Sequence, residues 1–323
     1  MTNIKTDVCV IGAGSGGLSV AAGAVQMGAR VVLVEKGEMG GDCLNSGCVP
    51  SKALLHAAAK GMSYPDAMAH VQQTIATIAP HDSQERFEGL GCKVIRAEGR
   101  FTSPTTLDVG GVTIKARRFV IATGSSPRVP EIEGLASVPY LTNETIWGLN
   151  SCPEHLVILG GGAIGMEMAQ AHRRLGAQVT VIEAFAALGR EDSEAAAVVK
   201  AALQAEGVTL IEGKGAERVS VVDGQTCVTL SDGQTVTGSH LLVATGRRAN
   251  SENLGLEHAE VDRTKTGIKV GDNLRTSNRR IYAIGDVIAG GLQFTHVAGY
   301  QAGVVIRPLL IGLPAKAARH HIP

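Results

Sequence analysis

Aromatic side chains make up only 3% of this 323-residue chain: five Phe, four Tyr and a single Trp. With so few rings and no basic block, nucleic-acid binding has no support. Net charge is missing as well, since 30 Lys and Arg balance 30 Asp and Glu. No apolar run reaches the ~20 residues needed to cross a bilayer. The chain enters an apolar strand at Val8–Ile11, which leaves no room for a leader peptide and predicts a cytoplasmic protein with no membrane partner. The six cysteines do not form the dense pattern of a secreted disulfide scaffold. Cys9, Cys92, Cys152 and Cys227 sit in apolar or loop contexts and read as structural, because free cysteine behaves as a small hydrophobe.

Glycine is abundant, 41 residues, and it falls in discrete motifs. Val8-Cys9-Val10-Ile11 runs into Gly12-Ala13-Gly14-Ser15-Gly16-Gly17, and Leu156-Val157-Ile158-Leu159 into Gly160-Gly161-Gly162-Ala163-Ile164-Gly165. Each turn opens a helical stretch, Leu18–Met27 and Met166–Leu175. Each stretch leads to a β-branched strand that ends in an acid, Glu35 or Glu183. A lone Gly-x-Gly-x-x-Gly is weak. Here the preceding strand, the following helix and the acid at its proper distance occur twice. The first two glycines permit a tight turn and close approach to a pyrophosphate. The third lets helix pack on strand, the helix N-terminus attracts the phosphates, and the acid accepts ribose hydroxyls.

Two further strands, Phe119–Ile121 and Leu241–Val243, both run into Ala-Thr-Gly and close a dinucleotide-binding half. Before each lies alternating, turn-rich sequence, 93–114 and 208–236, typical of a small antiparallel hairpin layer. Gly110-Gly111 and Asp232-Gly233 are natural hairpin tips. Residues 52–90 read as one or two helices broken near Pro80. A last strand at Ile281–Ile284, ending in Gly285-Asp286, precedes a helix over about 295–310. The fold class is therefore α/β, with parallel sheets and small antiparallel layers.

Between the first glycine unit and those helices lies Gly-Gly-Asp-Cys-Leu-Asn-Ser-Gly-Cys-Val-Pro-Ser-Lys, Gly40 to Lys52. In an ideal helix, residues at the Cys43–Cys48 spacing have Cα atoms about 8.7 Å apart. A disulfide needs them within roughly 7 Å. If the two thiols pair, the turn must depart from helix, and Gly47 permits this. Pro50 suits the first turn of a following helix, and a cysteine at that start feels the positive end of the helix dipole. An easily reduced disulfide, a buried pair, or half a zinc site with His56 all remain open at this point.

Together these segments resemble the pyridine nucleotide–disulfide oxidoreductases, over essentially the whole chain and in order. Within that family the chain looks closest to the dihydrolipoyl dehydrogenase and mercuric reductase branches. The resemblance implies FAD on the first unit and NAD on the second, NADP being less favoured because Glu183 should repel its extra phosphate. It implies residues 1–149 and 271–323 as a Rossmann-like FAD-binding domain and 150–270 as the NAD-binding domain. By the same match, Gly12, Gly14, Gly17, Glu35, Lys36, Gly41, Asp42, Lys52, Gly99, Thr123, Gly124, Asp286, Thr295 and His296 contact FAD. Gly160, Gly162, Ile164, Gly165, Glu183, Gly246 and Arg247 contact NAD. Cys48 becomes the thiol facing the flavin, Cys43 the interchange thiol, and Glu167 the acid paired with Lys52. No metal is implied as a resident cofactor.

Family members normally continue into an interface domain that carries a His–Glu pair. No such pair is recognisable here, His320 and His321 lying in a terminal tail, so the chain is read as lacking that domain. A full-length member is expected to be a homodimer, this chain monomeric or weakly associated. The expected function is an FAD-dependent NAD(P)H:disulfide or dithiol oxidoreductase acting on a small-molecule, lipoyl or metal-ion substrate. The competing readings are a core acting only as an NADH diaphorase or oxidase, and a non-enzymatic flavin-binding redox sensor.

Overall fold

The structure, a computed structural model, describes residues 2–318, so His320 and His321 lie outside it. The chain opens with β1 (Thr2–Ile11), α1 (Ser15–Gln26) and β2 (Val31–Glu35). Four helices follow: α2 (Gly41–Asn45), α3 (Cys48–Ala59), α4 (Tyr64–Asp82) and α5 (Gln84–Gly89). Then come β3 (Lys93–Arg96), β4 (Gly99–Ser103), β5 (Thr106–Val109), β6 (Val112–Ile121) and the short β7 (Ser125–Pro127). The second glycine unit comprises β8 (His155–Leu159), α6 (Ala163–Arg174), β9 (Gln178–Glu183), α7 (Ser193–Ala205) and β10 (Thr209–Glu212). Strands β11 (Ala216–Val222), β12 (Gln225–Leu230), β13 (Thr235–Gly238), β14 (His240–Val243) and β15 (Arg247–Ala249) come next. The chain ends in β16 (Arg263–Thr264), β17 (Gly267–Ile268), β18 (Ile281–Ala283) and α8 (Thr295–Leu310).

Two compact units result. Residues up to Asn45, Thr77–Ser126 and from Arg248 onward form the first; Ser46–Ala76 and Pro127–Arg247 form the second. In the first, β3-β2-β1-β6 run parallel, and the edge of β6 away from β1 is long enough to serve two further partners. Its end at Phe119–Ile121 pairs in parallel with β18, while its start at Val112–Lys115 pairs antiparallel with β5, which pairs with β4. These strands read as continuous apolar runs because both faces are covered: Val8, Cys9, Val10, Leu33, Phe119 and Val120 share one core with Ala21 and Ala24 of α1 and Ala302 and Val305 of α8.

The second unit repeats the arrangement, with a parallel sheet β10-β9-β8-β14 and a separate antiparallel sheet β11-β12-β13. Lys93–Arg96 and Thr209–Glu212, expected within the hairpin layers, instead pair in parallel with β2 and β9. Short apolar alternation does not distinguish the two partnerships. The break expected near Pro80 falls at Ser83, which caps α5 through its side chain. Pro80 sits in the last turn of α4, where one backbone bond fewer is tolerated. A further break separates α3 from α4.

The compact units divide the chain elsewhere than at residues 150 and 270. Ala53, Leu54 and Ala57 of α3 share a core with Met166 and Ala169 of α6, which draws 46–76 into the second unit. The Phe101 N–H donates to the Leu254 carbonyl, which draws 248–270 into the first. Cys9 and Cys92 are buried, as expected of structural cysteines, and burial pushes the Cys92 thiol up to about 11.

His172 on α6 is 1% exposed. Its Nδ1 lies 2.9 Å from the Met168 carbonyl and its Nε2 3.5 Å from the Tyr64 hydroxyl. Since the carbonyl can only accept, Nδ1 carries a proton, and burial favours the neutral ring. Burial holds its pKa down to about 4, against ~6.5 in the unfolded chain. The unfolded state therefore binds the extra proton, and stability falls as pH drops from ~6.5 to ~4, by about 3 kcal/mol. Denaturant titrations across that window should show this loss in the wild type, and His172→Asn should flatten that limb of the profile.

Candidate functional site

The two glycine turns are built alike, residue for residue. Gly12 and Gly160 take φ of +105° and +107°, and a Cβ on either would overlap the carbonyl of Ala122 or Ala244 in the Ala-Thr-Gly strand. A Cβ on Gly17 or Gly165 would overlap the carbonyl of Gly12 or Gly160. These four positions are bare because backbone passes against backbone. The middle glycines differ. Gly14 and Gly162 are extended, with φ −81° and −74°, a conformation open to any residue. A Cβ on Gly162 would meet nothing within 4 Å, and one on Gly14 only the Gly41 Cα at 3.8 Å. Packing within the protein does not call for glycine there; the close approach of a ligand does.

Both middle glycines are N-caps of helices that have no side-chain cap and no acid in the first turn. The first amides of α1 and α6 are thus left for an anion. The residues fit a dinucleotide pyrophosphate on this ground.

Each strand-end acid holds its own loop. The Ala13 N–H donates to Glu35 Oε2 at 2.6 Å and the Gly37 N–H to Oε1 at 2.7 Å. The Gly161 N–H donates to Glu183 Oε2 at 2.7 Å and the Phe185 N–H to Oε1 at 3.0 Å. An ionised carboxylate has about four acceptor positions, so two remain on each for ribose hydroxyls.

The Ala-Thr-Gly turns hold returning chain. The Thr123 hydroxyl donates to the Asn250 carbonyl at 2.7 Å, and the Gly124 carbonyl accepts from the Asn250 N–H at 2.9 Å. Likewise the Thr245 hydroxyl donates to the Arg128 carbonyl at 2.9 Å, and the Gly246 carbonyl accepts from the Arg128 N–H at 2.9 Å. Asp286 Oδ2 accepts from the Ser125 hydroxyl at 2.7 Å. Gly41 closes against Gly14, and Lys36 is exposed beside Glu98 at 3.4 Å. Gly99 is buried close to Leu107 and Val34. Thr295 and His296 begin α8, where the His296 ring stacks on Phe294. Ile164 is in the first turn of α6, and Arg247 begins β15.

The expected departure from helix between the cysteines is present. Cys43 lies half-buried in α2, which ends at Asn45; Cys48 is the exposed first residue of α3. Gly47 between them has φ −114° and ψ −114°. The Asn45 side chain donates to the Met39 and Gly41 carbonyls at 3.0 and 2.8 Å, tying α2 down. The lone tryptophan, Trp147, donates from Nε1 to the Asn143 carbonyl at 2.6 Å and the Ser46 carbonyl at 3.2 Å. On the next turn of α3, Lys52 Nζ reaches both oxygens of Glu167, at 2.6 and 2.9 Å. Among the described residues no cluster of three or more His, Cys, Asp or Glu could hold a metal.

The pyridine nucleotide-disulphide oxidoreductase family matches residues 6–302. The chain belongs to that family. It is 34% identical to a mercuric reductase of Lysinibacillus sphaericus over 98% of this chain, and 33% identical to a dihydrolipoyl dehydrogenase of Geobacillus stearothermophilus over 99%. The solved structure of RclA from Escherichia coli, an HOCl-induced flavoprotein disulfide reductase studied as a Cu(II) complex, superposes with a TM-score of 0.91 at 30% identity. That match covers 97% of this chain and 73% of RclA. The chain spans 62% of the L. sphaericus protein and 54% of a Bacillus cereus mercuric reductase. No described helix is long and apolar enough to cross a membrane.

Sequence reasoning missed Ser125, Asn250, Asn45 and Trp147 as parts of this site in the family framework. Asn45 lay inside the cysteine segment and could have been found there; the others act from far along the chain.

The glycine geometry separates folding from binding. Gly165→Ala should lose the folded second unit, or lower its melting temperature by 10 °C or so. Gly162→Ala should leave the melting temperature within about 2 °C yet weaken ADP-ribose binding at least tenfold, as read by calorimetry.

Proposed function

We propose that the chain carries the electron-transfer core of an FAD-dependent oxidoreductase that couples NADH to a disulfide or dithiol. The observation that carries this reading is the doubled loop with an open middle glycine, two dinucleotide cradles in one chain that also presents Cys48 at a helix start. FAD, once bound, supplies a two-electron carrier between a nicotinamide and sulfur. The first amides of α1 would hold its pyrophosphate and Glu35 its ribose; α6 and Glu183 would do the same for NADH.

Lys52 supplies a cation, and Glu167 fixes where its ammonium stands. A positioned cation favours negative charge developing beside it. The amides at the start of α3 favour negative charge on the Cys48 sulfur, while Cys43 serves as the thiol that exchanges with substrate. The overall reaction balances as NADH, a proton and a disulfide giving NAD⁺ and two thiols. The relatives' names supply the finer alternatives, a lipoyl dithiol or a mercuric ion. We assign the disulfide or dithiol class, because the cysteine pair is chemistry this chain itself provides. The complete protein is proposed as a homodimer.

Anaerobic NADH should expose two additional thiols per flavin-loaded chain to alkylation. Cys43→Ser and Cys48→Ser should each abolish that gain while leaving NADH-dependent dye reduction within a few fold of wild type. Unchanged alkylation on adding NADH, with dye reduction intact, would leave a diaphorase and sink the disulfide reading. Glu167→Gln should lower turnover about tenfold or more with little change in melting temperature. The pair is half-exposed on the Lys52 side, at 61%, and ion pairs of that kind add at most about 1 kcal/mol to stability.

A further inference from the structure

Among the described residues, the most exposed large apolar side chain is Phe185, at 81%. Its backbone, by contrast, is tightly held. The Phe185 N–H donates to Glu183 Oε1 at 3.0 Å, and its carbonyl accepts from the Gly213 N–H at 2.9 Å. Two residues on, the Ala187 N–H donates to Glu212 Oε1 at 2.7 Å, and the Leu188 N–H to the Gly161 carbonyl at 2.8 Å. A phenylalanine ring standing in water on a fixed backbone, in a chain with only five, is a preorganised surface: covering it costs little ordering of the protein.

Its address identifies what would cover it. Glu183 bonds both the glycine loop, through Gly161, and Phe185. The ring is thus two residues beyond the acid assigned to the ribose that carries the base. The first glycine unit provides an internal comparison. There Gly37 stands at the same spacing from Glu35 and makes the same bond to its Oε1, at 2.7 Å, with no side chain at all. One repeat builds a ring where the other leaves the position bare, on a shared hydrogen-bond frame. The backbone frame therefore does not demand the ring, and at 81% exposure the ring packs against little among the described residues.

We infer that Phe185 is the base-stacking residue of the second nucleotide site, giving the adenine of the pyridine dinucleotide a face to lie against. The inference rests on the assignment of NADH to the second unit. Stacking of a base on an aromatic ring is worth enough to shift affinity about tenfold. The interaction acts on the adenine end alone, away from the reacting nicotinamide, so it is uniform binding and belongs in KM rather than kcat.

The test compares NADH with reduced nicotinamide mononucleotide, which has no adenine, and adds calorimetric binding of ADP-ribose, which has no nicotinamide. Phe185→Ala should raise KM for NADH and Kd for ADP-ribose about tenfold, leave kcat within twofold, and leave KM for the mononucleotide unchanged. Phe185→Tyr should restore wild-type values. Equal ADP-ribose binding by wild type and Phe185→Ala overturns the inference, and so does an equal rise in KM for both reduced nucleotides. Absence of ADP-ribose and NADH binding by the wild-type protein overturns the assignment of the second unit itself. The two failures are thereby distinguished. An 81% exposed side chain leaves no cavity when removed, so the alanine variant should melt with the wild type.

Discussion

Backbone pressed against backbone at the glycine loops is the contact from which the rest of the architecture follows. At Gly17 and Gly165 the helix comes so near the carbonyl of Gly12 or Gly160 that a single methyl would collide, and at Gly12 and Gly160 the loop lies as close to the strand carbonyl of Ala122 or Ala244. Helix, loop and two strands are therefore locked without intervening side chains. That closeness brings the loop N–H of Ala13 or Gly161 within hydrogen-bonding range of the acid at the end of the neighbouring strand. It also aims the uncapped helix amides outward. A larger residue at any of these four positions would move the helix start, and with it the charge complement of the site.

The two repeats share one more contact and then diverge at it. In the first, the Gly40 N–H donates to the Ala13 carbonyl at 3.0 Å; in the second, the Leu188 N–H donates to the Gly161 carbonyl at 2.8 Å, at the same spacing. Both residues have positive φ, +87° for Gly40 and +54° for Leu188. The closure thus requires a left-handed turn, which glycine adopts freely and leucine at a cost of about 1 kcal/mol or more. In the first repeat this turn leads directly into α2 and Cys43. In the second it follows Phe185 and precedes the Asp192 cap of α7. The same closure has been put to two uses: delivering sulfur in one unit and displaying an aromatic ring in the other.

Most of this frame could be read in the sequence because it depends on near-neighbour spacing. Gly12, Gly14, Gly17 and Glu35 are recognisable together since a strand, a turn and a helix fix their intervals, and the second set follows the same rule. The helix start at Cys48 was legible from Gly47 and Pro50. What was illegible acts over distance. Nothing local to Thr123 announces that its hydroxyl will hold the carbonyl of Asn250, or local to Ser46 that its carbonyl will receive Trp147. The parallel pairing of Lys93–Arg96 was missed for a related reason, since four residues of a strand carry no record of their partner. For Glu35 and Glu183 the acid was visible and half its work was not: the carboxylates brace their own loops as well as facing outward.

The Lys52–Glu167 pair shows how these layers depend on one another. Its charges are too exposed to contribute much to stability, so the fold does not need the pair. The pair needs the fold. Leu54 and Ala57 of α3 and Met166 and Ala169 of α6 are buried in one core, and that packing sets the axial register of the two helices. Register in turn places an ammonium on α3 opposite a carboxylate on α6 closely enough for both oxygens to engage. Since Gly162 caps the start of α6 and α3 begins at Cys48, the same register fixes the open glycine of the second loop relative to the exposed cysteine. A cavity in that seam would therefore disturb charge, sulfur and nucleotide loop together, though it touched none of them.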